Sequence, residues 1–372
     1  MKIYHLLMLF SALAFAFAGC TKSDGTKEFE SATKAYELRD LAKAKRLFAV
    51  AAKLNVTNVD ARYMLSKVNL DLGNLDEAAQ AIQDASLLSP GAPDILSLTA
   101  QIAYHRKDYA KAIEIFSALS EDTSLAKSLR AQAFVGLGII YITENDRDNA
   151  RVAFLSSLAL DRRNNAAAYY HLGLLYRDAY DYQEAAREQF EMFVRIKSAP
   201  AEKVEKVQRN FLPAINEAIV RAAAEIPNAS GRDSQAAAEQ IKKAEQLMKK
   251  NQSTAALSAY TKAYSLDPLS YPAALGMARI MAKSQARSVQ ERALEAYLAA
   301  VKLKPMSTTT LLEAAQFAVK LKQPLTAERL YSMAVAANPV KFDAIDGLIR
   351  AQRKLPGKSK TASQYQKYRD RL

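Results

Sequence analysis

The stretch LGIIYITENDRDNARVAFLSSLALD, residues 137–161, decides the fold. Two apolar segments flank a polar turn, ENDRD at 144–148. Gly138 is followed twelve residues later by Ala150, then by Phe154 and Ser157. Small residues at those positions let two helix backbones approach closely, and a bulky residue one turn along fills the gap between this pair and the next. The reading is of two antiparallel helices joined by a short turn.

Working outward, the second helix of this unit recurs along the chain as Ala, then a bulky residue four positions on, then a small or aliphatic one three further. It appears at Ala44/Phe48/Ala51, Ala78/Ile82/Ala85, Ala112/Phe116/Leu119, Ala256/Tyr260/Ala263, Ala293/Tyr297/Ala300 and Ala327/Tyr331/Ala334. Alanines 44, 78 and 112 are 34 residues apart, as are 293 and 327. Twelve residues before the leading alanine stand Ala32, Ser66, Ala100, Gly138, Gly173, Ala244 and Ala315. Twelve residues after it, Pro90, Pro268, Pro305 and Pro339 end helices, because proline lacks the amide donor and clashes with the preceding turn. Glycine-rich phosphate loops and Val/Ile-rich strand runs are missing, tryptophan is absent, and glycine and proline number 11 each. The chain reads as all-α.

A fixed period of this kind resembles the tetratricopeptide repeat, with AEQLMKKNQSTAALSAYTKAYSLDP at 244–268 as a further clear copy. The resemblance implies a solenoid of about eight helix pairs, over 25–57, 59–92, 93–126, 131–164, 166–199, 237–270, 271–306 and 308–340. In the fifth, Gly173 and Ala185 keep the register, but Gln189 takes the bulky position with Phe190 beside it. The period then breaks: residues 199–234 read as one long helix interrupted near Pro213, followed by a Pro/Asn/Ser/Gly loop. The expected organisation is therefore a sub-array over 25–199, a linker helix and loop over 200–236, a second sub-array over 237–340, and a basic closing pair of helices over 341–372.

The N-terminus has a different character. Met1-Lys2 supply a positive start, Ile3 to Ala18 are almost wholly apolar, and Ala18-Gly19 precede Cys20, the single cysteine of the 372 residues. The apolar run is shorter than the ~20 residues a spanning helix needs, and its three-part build is that of a secretory signal. Phe17-Ala18-Gly19-Cys20 resembles a bacterial lipoprotein signal, apart from Phe17 where leucine is usual. That resemblance implies removal of 1–19, acylation of Cys20, and a place in the cell envelope, with Thr21 pointing to the outer membrane facing the periplasm. Two or three acyl chains would hold the chain stably at a membrane surface. An ordinary secretory signal with an incidental cysteine is the alternative.

One cysteine excludes a disulfide framework and a cysteine zinc site. His5, His105 and His171 are scattered, the Gly136-Leu137-Gly138 sequence lies inside a repeat helix, and the pairs Asp76-Glu77 and Asp146/Asp148 fall in turns as solvated caps. No nucleophile–base constellation appears, so no enzyme, metal or cofactor is expected. The concave face, lined in the resembled family by first helices, would carry Tyr63, Lys67, Gln101, Tyr104, Val135, Ile139, Tyr170, Leu174 and Arg177. Tyrosines, aliphatics and a few cations suit a peptide groove. The apolar patch from Val135 to Leu174 has two readings, an open groove or a seat for the helix at 200–226.

Charge divides the chain. Residues 201–372 hold 28 Lys and Arg against 15 Asp and Glu, net +13, whereas 21–200 net −1. The cations Lys242, Lys243, Lys249, Lys250, Arg350, Arg353, Lys354, Lys358 and Lys360 would attract anions. For an exported chain the expectation is an anionic polymer, lipid or acidic protein rather than nucleic acid. The leading expectation is a membrane-anchored, non-enzymatic scaffold that holds envelope proteins; the second is a binder of an anionic polymer or lipid that uses the repeats as a spacer.

Overall fold

The computed structural model describes residues 24–224 and 231–372. Cys20 and the signal-like segment lie outside the described residues, as does part of the loop at 225–230. Every regular element described is helical, and the chain divides into two compact units, 1–122 and 123–372. The division falls inside the stretch expected to form one sub-array.

The first unit contains α1 (Thr26–Glu37), α2 (Leu41–Leu54), α3 (Val59–Asp71), α4 (Leu75–Leu88), α5 (Pro93–His105) and α6 (Tyr109–Glu121). They pack as antiparallel pairs, α1 with α2, α3 with α4 and α5 with α6, each pair stacked on the next. The register is the one read from the sequence: Ala32, Ala44, Phe48, Ala51, Ala78, Ala85, Ala100 and Ala112 are fully buried. Ser66, a small residue with a hydroxyl, donates from Oγ to the Ala78 carbonyl across the pair at 2.8 Å. Asp40, Asn58 and Asp108 cap α2, α3 and α6 by accepting from the amides of Lys43, Ala61 and Lys111, which satisfies donors that a helix N-terminus leaves orphaned.

The second unit contains α7 (Lys127–Thr143), α8 (Arg147–Leu160), α9 (Ala166–Leu175), α10 (Gln183–Arg195), α11 (Ala201–Lys206), α12 (Leu212–Ala224), α13 (Ser234–Lys249), α14 (Ser253–Leu266), α15 (Tyr271–Met281), α16 (Arg287–Leu303), α17 (Thr308–Lys320), α18 (Pro324–Ala337), α19 (Phe342–Arg353) and α20 (Ser359–Arg371). A Cβ on Gly138 would stand 2.4 Å from the Phe154 ring and one on Gly276 2.6 Å from Tyr260, so glycine is required where a ring lies against a helix backbone.

The fifth pair departs from the expectation by one residue along its second helix, where Ala186, not Ala185, leads. Phe190, fully buried, fills the gap against Gly173, and Gln189 does not. The Gly-to-ring spacing is therefore 17 residues instead of 16, and the extra residue is taken up by a π-helical turn at Tyr176–Tyr180 that closes α9. A π turn inserts one residue per turn relative to the α-helix and so shifts everything beyond it by one position. A second π turn, Val207–Phe211, joins α11 to α12 just ahead of Pro213, where a missing amide would interrupt an α-helical ladder.

The second unit also closes on itself. Pairwise packing runs through α7–α8–α9–α10–α12 and, after the loop, from α13 through to α20; α20 then packs on α8. As a result α8 is buried nearly all round, from Asn149 to Leu158.

Candidate functional site

The expected groove residues fall into three settings. In the first unit, Tyr63, Lys67, Gln101 and Tyr104 lie on the first helices α3 and α5; Gln101 is exposed and the other three are half-buried. They share this face with residues the pattern search passed over. Tyr36 donates from its hydroxyl to Asp71 Oδ2 at 2.7 Å, Arg39 stands 3.7 Å from the same carboxylate, and the Lys67 ammonium lies 5.6 Å from the Tyr36 ring centre. Burial, with the Asp71 bond second, pushes the Tyr36 phenol up to about 12, so it is a fixed donor across the physiological range. Tyr36 and Asp71 sit at the ends of α1 and α3, outside the small/bulky register, which is why that register did not point to them.

In the second unit, Val135, Ile139 and Leu174 are half-buried. Tyr170 is buried, packed at 5.2 Å on Phe193 and 6.3 Å on Phe190, with the Lys203 ammonium 4.8 Å above its ring. Arg177 stacks 4.0 Å over Phe211 and pairs with Asp178 at 2.5 Å. Tyr170 and Arg177 are thus engaged by α10, α11 and the second π turn. His171 stacks parallel on Phe154 at 5.6 Å, and burial, with Lys203 second, holds its imidazole down to about 4.

The third setting is the basic C-terminal half. Lys242, Lys243 and Lys249 on α13, and Lys250 just beyond its end, are exposed, with no ion-pair partner among the described residues. Arg350, Arg353 and Lys354 at the end of α19 are exposed as well. Part of the remaining tail makes internal contacts, while Lys360 stays exposed. Lys358 is paired with Asp148, Arg369 with Asp346, Arg371 donates to Ser156 Oγ at 3.3 Å and lies 4.6 Å over Phe134, and Lys360 stands 5.9 Å from the Tyr141 ring.

At the closure sits a fully buried arginine. Arg151 donates to Ser332 Oγ, lies 4.5 Å over the Tyr180 ring and 5.4 Å over Tyr365, and is 3.7 Å from Asp148. Tyr182 donates to the same Ser332 at 3.2 Å, and Tyr180 to Asp148 at 2.5 Å. Burial alone would raise the Asp148 carboxyl; Arg151, Lys358 and Tyr180 more than offset it and hold it below its usual range. Asp148 is therefore a structural anion instead of the solvated cap its turn position suggested, whereas Asp146 does cap α8 through the Asn149 amide at 3.2 Å. Beside this cluster lies a cleft of about 730 Å³ with mixed acidic and basic walls, including Glu144, Asp146, Arg147, Glu328 and Arg329.

Among the described residues no three His, Cys, Asp or Glu side chains gather as a metal would require, and no helix is long and apolar enough to cross a membrane.

Stacked antiparallel helix pairs with small residues at the crossings define a helical-repeat protein. Family models for the tetratricopeptide repeat match residues 35–102 and 129–201, one stretch in each unit, and these stretches are tetratricopeptide repeats. Such repeats generally mediate protein–protein interaction and are typically non-enzymatic. Among solved structures, the chain is similar to pilF of Pseudomonas aeruginosa (16% identity over 70% of this chain and 98% of that one, TM-score 0.40). It is also similar to MamA of Desulfovibrio magneticus RS-1 (16%, 51% and 100%, TM-score 0.39) and to a tetratricopeptide repeat protein of Parabacteroides merdae (14%, 80% and 99%, TM-score 0.38). No curated protein matches the chain in sequence.

Proposed function

We propose that the chain is a lipid-anchored scaffold of the bacterial cell envelope, tethered through Cys20 at the outer membrane and holding a partner protein on the first-helix face of its first unit. The observation that carries the reading is the contrast between the two first-helix faces. Around Tyr170 and Arg177 the face is occupied by the chain's own α10, α11 and π turn. On α3 and α5, Gln101 is exposed and Tyr63, Lys67 and Tyr104 are half-buried, and they share their face with Tyr36, whose hydroxyl is fixed on Asp71. Aromatic residues give large contact area for few frozen rotamers, the usual make-up of a binding hot spot. The reading also rests on the lipoprotein-like Phe17-Ala18-Gly19-Cys20.

The test is an intact-mass and membrane-fractionation comparison of wild type with Cys20→Ala, run with a cross-linking pull-down from whole envelopes. Acyl mass and membrane recovery that the substitution abolishes, with a defined envelope protein retained by wild type and lost on Tyr63→Ala plus Tyr104→Ala, support the scaffold. A soluble, unacylated wild type would sink the anchor, and a partner indifferent to both tyrosines would sink the face.

A second reading, an anionic polymer or lipid headgroup met by Lys242, Lys243, Lys249 and Lys250, is favoured by the exposure of all four lysines without carboxylate partners among the described residues. It requires binding that falls steeply with added salt.

A further inference from the structure

We infer that the groove between α17, α18 and α19 is a docking site for a short acidic segment of a partner protein, one that brings an apolar side chain flanked by carboxylates. The groove has a volume of about 420 Å³. Its floor is apolar: Val319, Pro324, Ala327, Ala351 and the ring of Tyr331. Its charged rim is cationic throughout, with Lys322 at the α17–α18 turn and Arg350 and Lys354 one helical turn apart on α19, and no carboxylate lines it. The acids nearest in sequence are engaged elsewhere, Glu328 with the Gln352 amide at 3.2 Å and Asp346 with Arg369.

The groove also sets a cation beside a buried ring. A Cβ on Gly347 would come within 2.1 Å of the Tyr331 ring, so the ring stands directly on the α19 backbone. Arg350, exposed to solvent, lines the groove with the buried ring of Tyr331. A guanidinium favours bidentate contact with a carboxylate. The two lysines add positive potential without competing for the apolar floor. A bare anion would leave that floor empty, and an apolar peptide would leave three cations without counter-charge, so the two features together select a ligand that carries both. The site lies in the second unit and does not depend on the first-helix face around Tyr63, so either can fail without the other.

The test uses the chain from residue 21 onward and fluorescence anisotropy with a labelled decapeptide that has one central leucine between two pairs of glutamates. Three comparisons accompany it: the same peptide with glutamines, the same peptide with glycine for leucine, and phosphatidylglycerol vesicles. Saturable binding is expected, at least tenfold weaker for the glutamine peptide and several-fold weaker for the glycine peptide. Arg350→Ala plus Lys354→Ala should weaken it at least tenfold, whereas Lys262→Ala plus Lys302→Ala, which removes equal charge from exposed positions on α14 and α16, should leave it within twofold. Lys322→Glu, on an exposed turn residue, repeats the test should the double variant lower the melting temperature. Equal loss from the Lys262 and Lys302 pair, indifference to the leucine, absence of binding, or vesicle binding through Arg350 and Lys354 tighter than that of the peptide would each overturn the proposal.

Discussion

At Gly138 the whole repeat logic reduces to one missing methyl group. Its Cβ position lies 2.4 Å from Phe154 Cε1, inside any real contact distance, and Phe154 is fully buried and has nowhere to retreat. Gly138→Ala should therefore cost roughly 1–3 kcal/mol, as overpacked cores do. Gly91 offers a control: nothing lies within 4 Å of its Cβ position, and only its φ of 77° resists a side chain, so Gly91→Ala should cost about 1 kcal/mol. Thermal melts of the two variants decide the order; a Gly138→Ala melt equal to wild type would contradict the packing. A second residue-scale expectation concerns pH. The His171 imidazole is held to about 4 in the fold, against 6.5 for the free side chain, so between these values the unfolded chain binds the extra proton. Stability from this group is complete above about pH 6.5 and is lost as pH falls toward 4. Melting temperature should drop across that window, and drop less in His171→Phe; parallel profiles would show that His171 is not the titrating group.

At the scale of elements, the helix pairs were legible because each sets small and bulky residues at fixed offsets on one face, and that pattern is local. What escaped was anything that shifts the offset or reaches across the chain. The π turn at Tyr176–Tyr180 moves the fifth pair by one residue, which placed Gln189 where Phe190 in fact packs. Phe190→Ala should cost about 3–5 kcal/mol and Gln189→Ala less than about 1 kcal/mol, compared by melts of the same chain. The reverse order would mean the fifth pair keeps an unshifted register. Tyr36 and Asp71 were missed for a similar reason, since two polar residues at helix ends 35 positions apart follow no periodicity.

On the scale of the whole molecule, the closure of α20 on α8 was illegible because its contacts join residues far apart in sequence: Arg151 with Ser332 across 181 positions, Asp148 with Lys358 across 210. One local trace exists. RVAFLSSLAL, residues 151–160, is apolar or small almost all round once its single arginine is set aside, and a helix of that kind is buried on every side. Deleting residues 356–372 should raise amide hydrogen exchange throughout α8 and leave α1–α6 unchanged, because repeat arrays transmit damage to neighbours first. Unchanged protection of α8 would contradict the closure. The same closure engages Lys358 and Arg371 of the basic tail and leaves Arg350, Arg353, Lys354 and Lys360 exposed.

The central claim is that a partner protein is held on the first-helix face of the first unit. A photo-activatable residue placed singly in living cells at Tyr63, Tyr104, Tyr170 and Leu87, the last being 75% exposed on the second helix α4, tests it most directly. One discrete cross-linked product is expected from positions 63 and 104 and none from 170 or 87. Cross-linking from Leu87 or Tyr170, with none from Tyr63 or Tyr104, would contradict it.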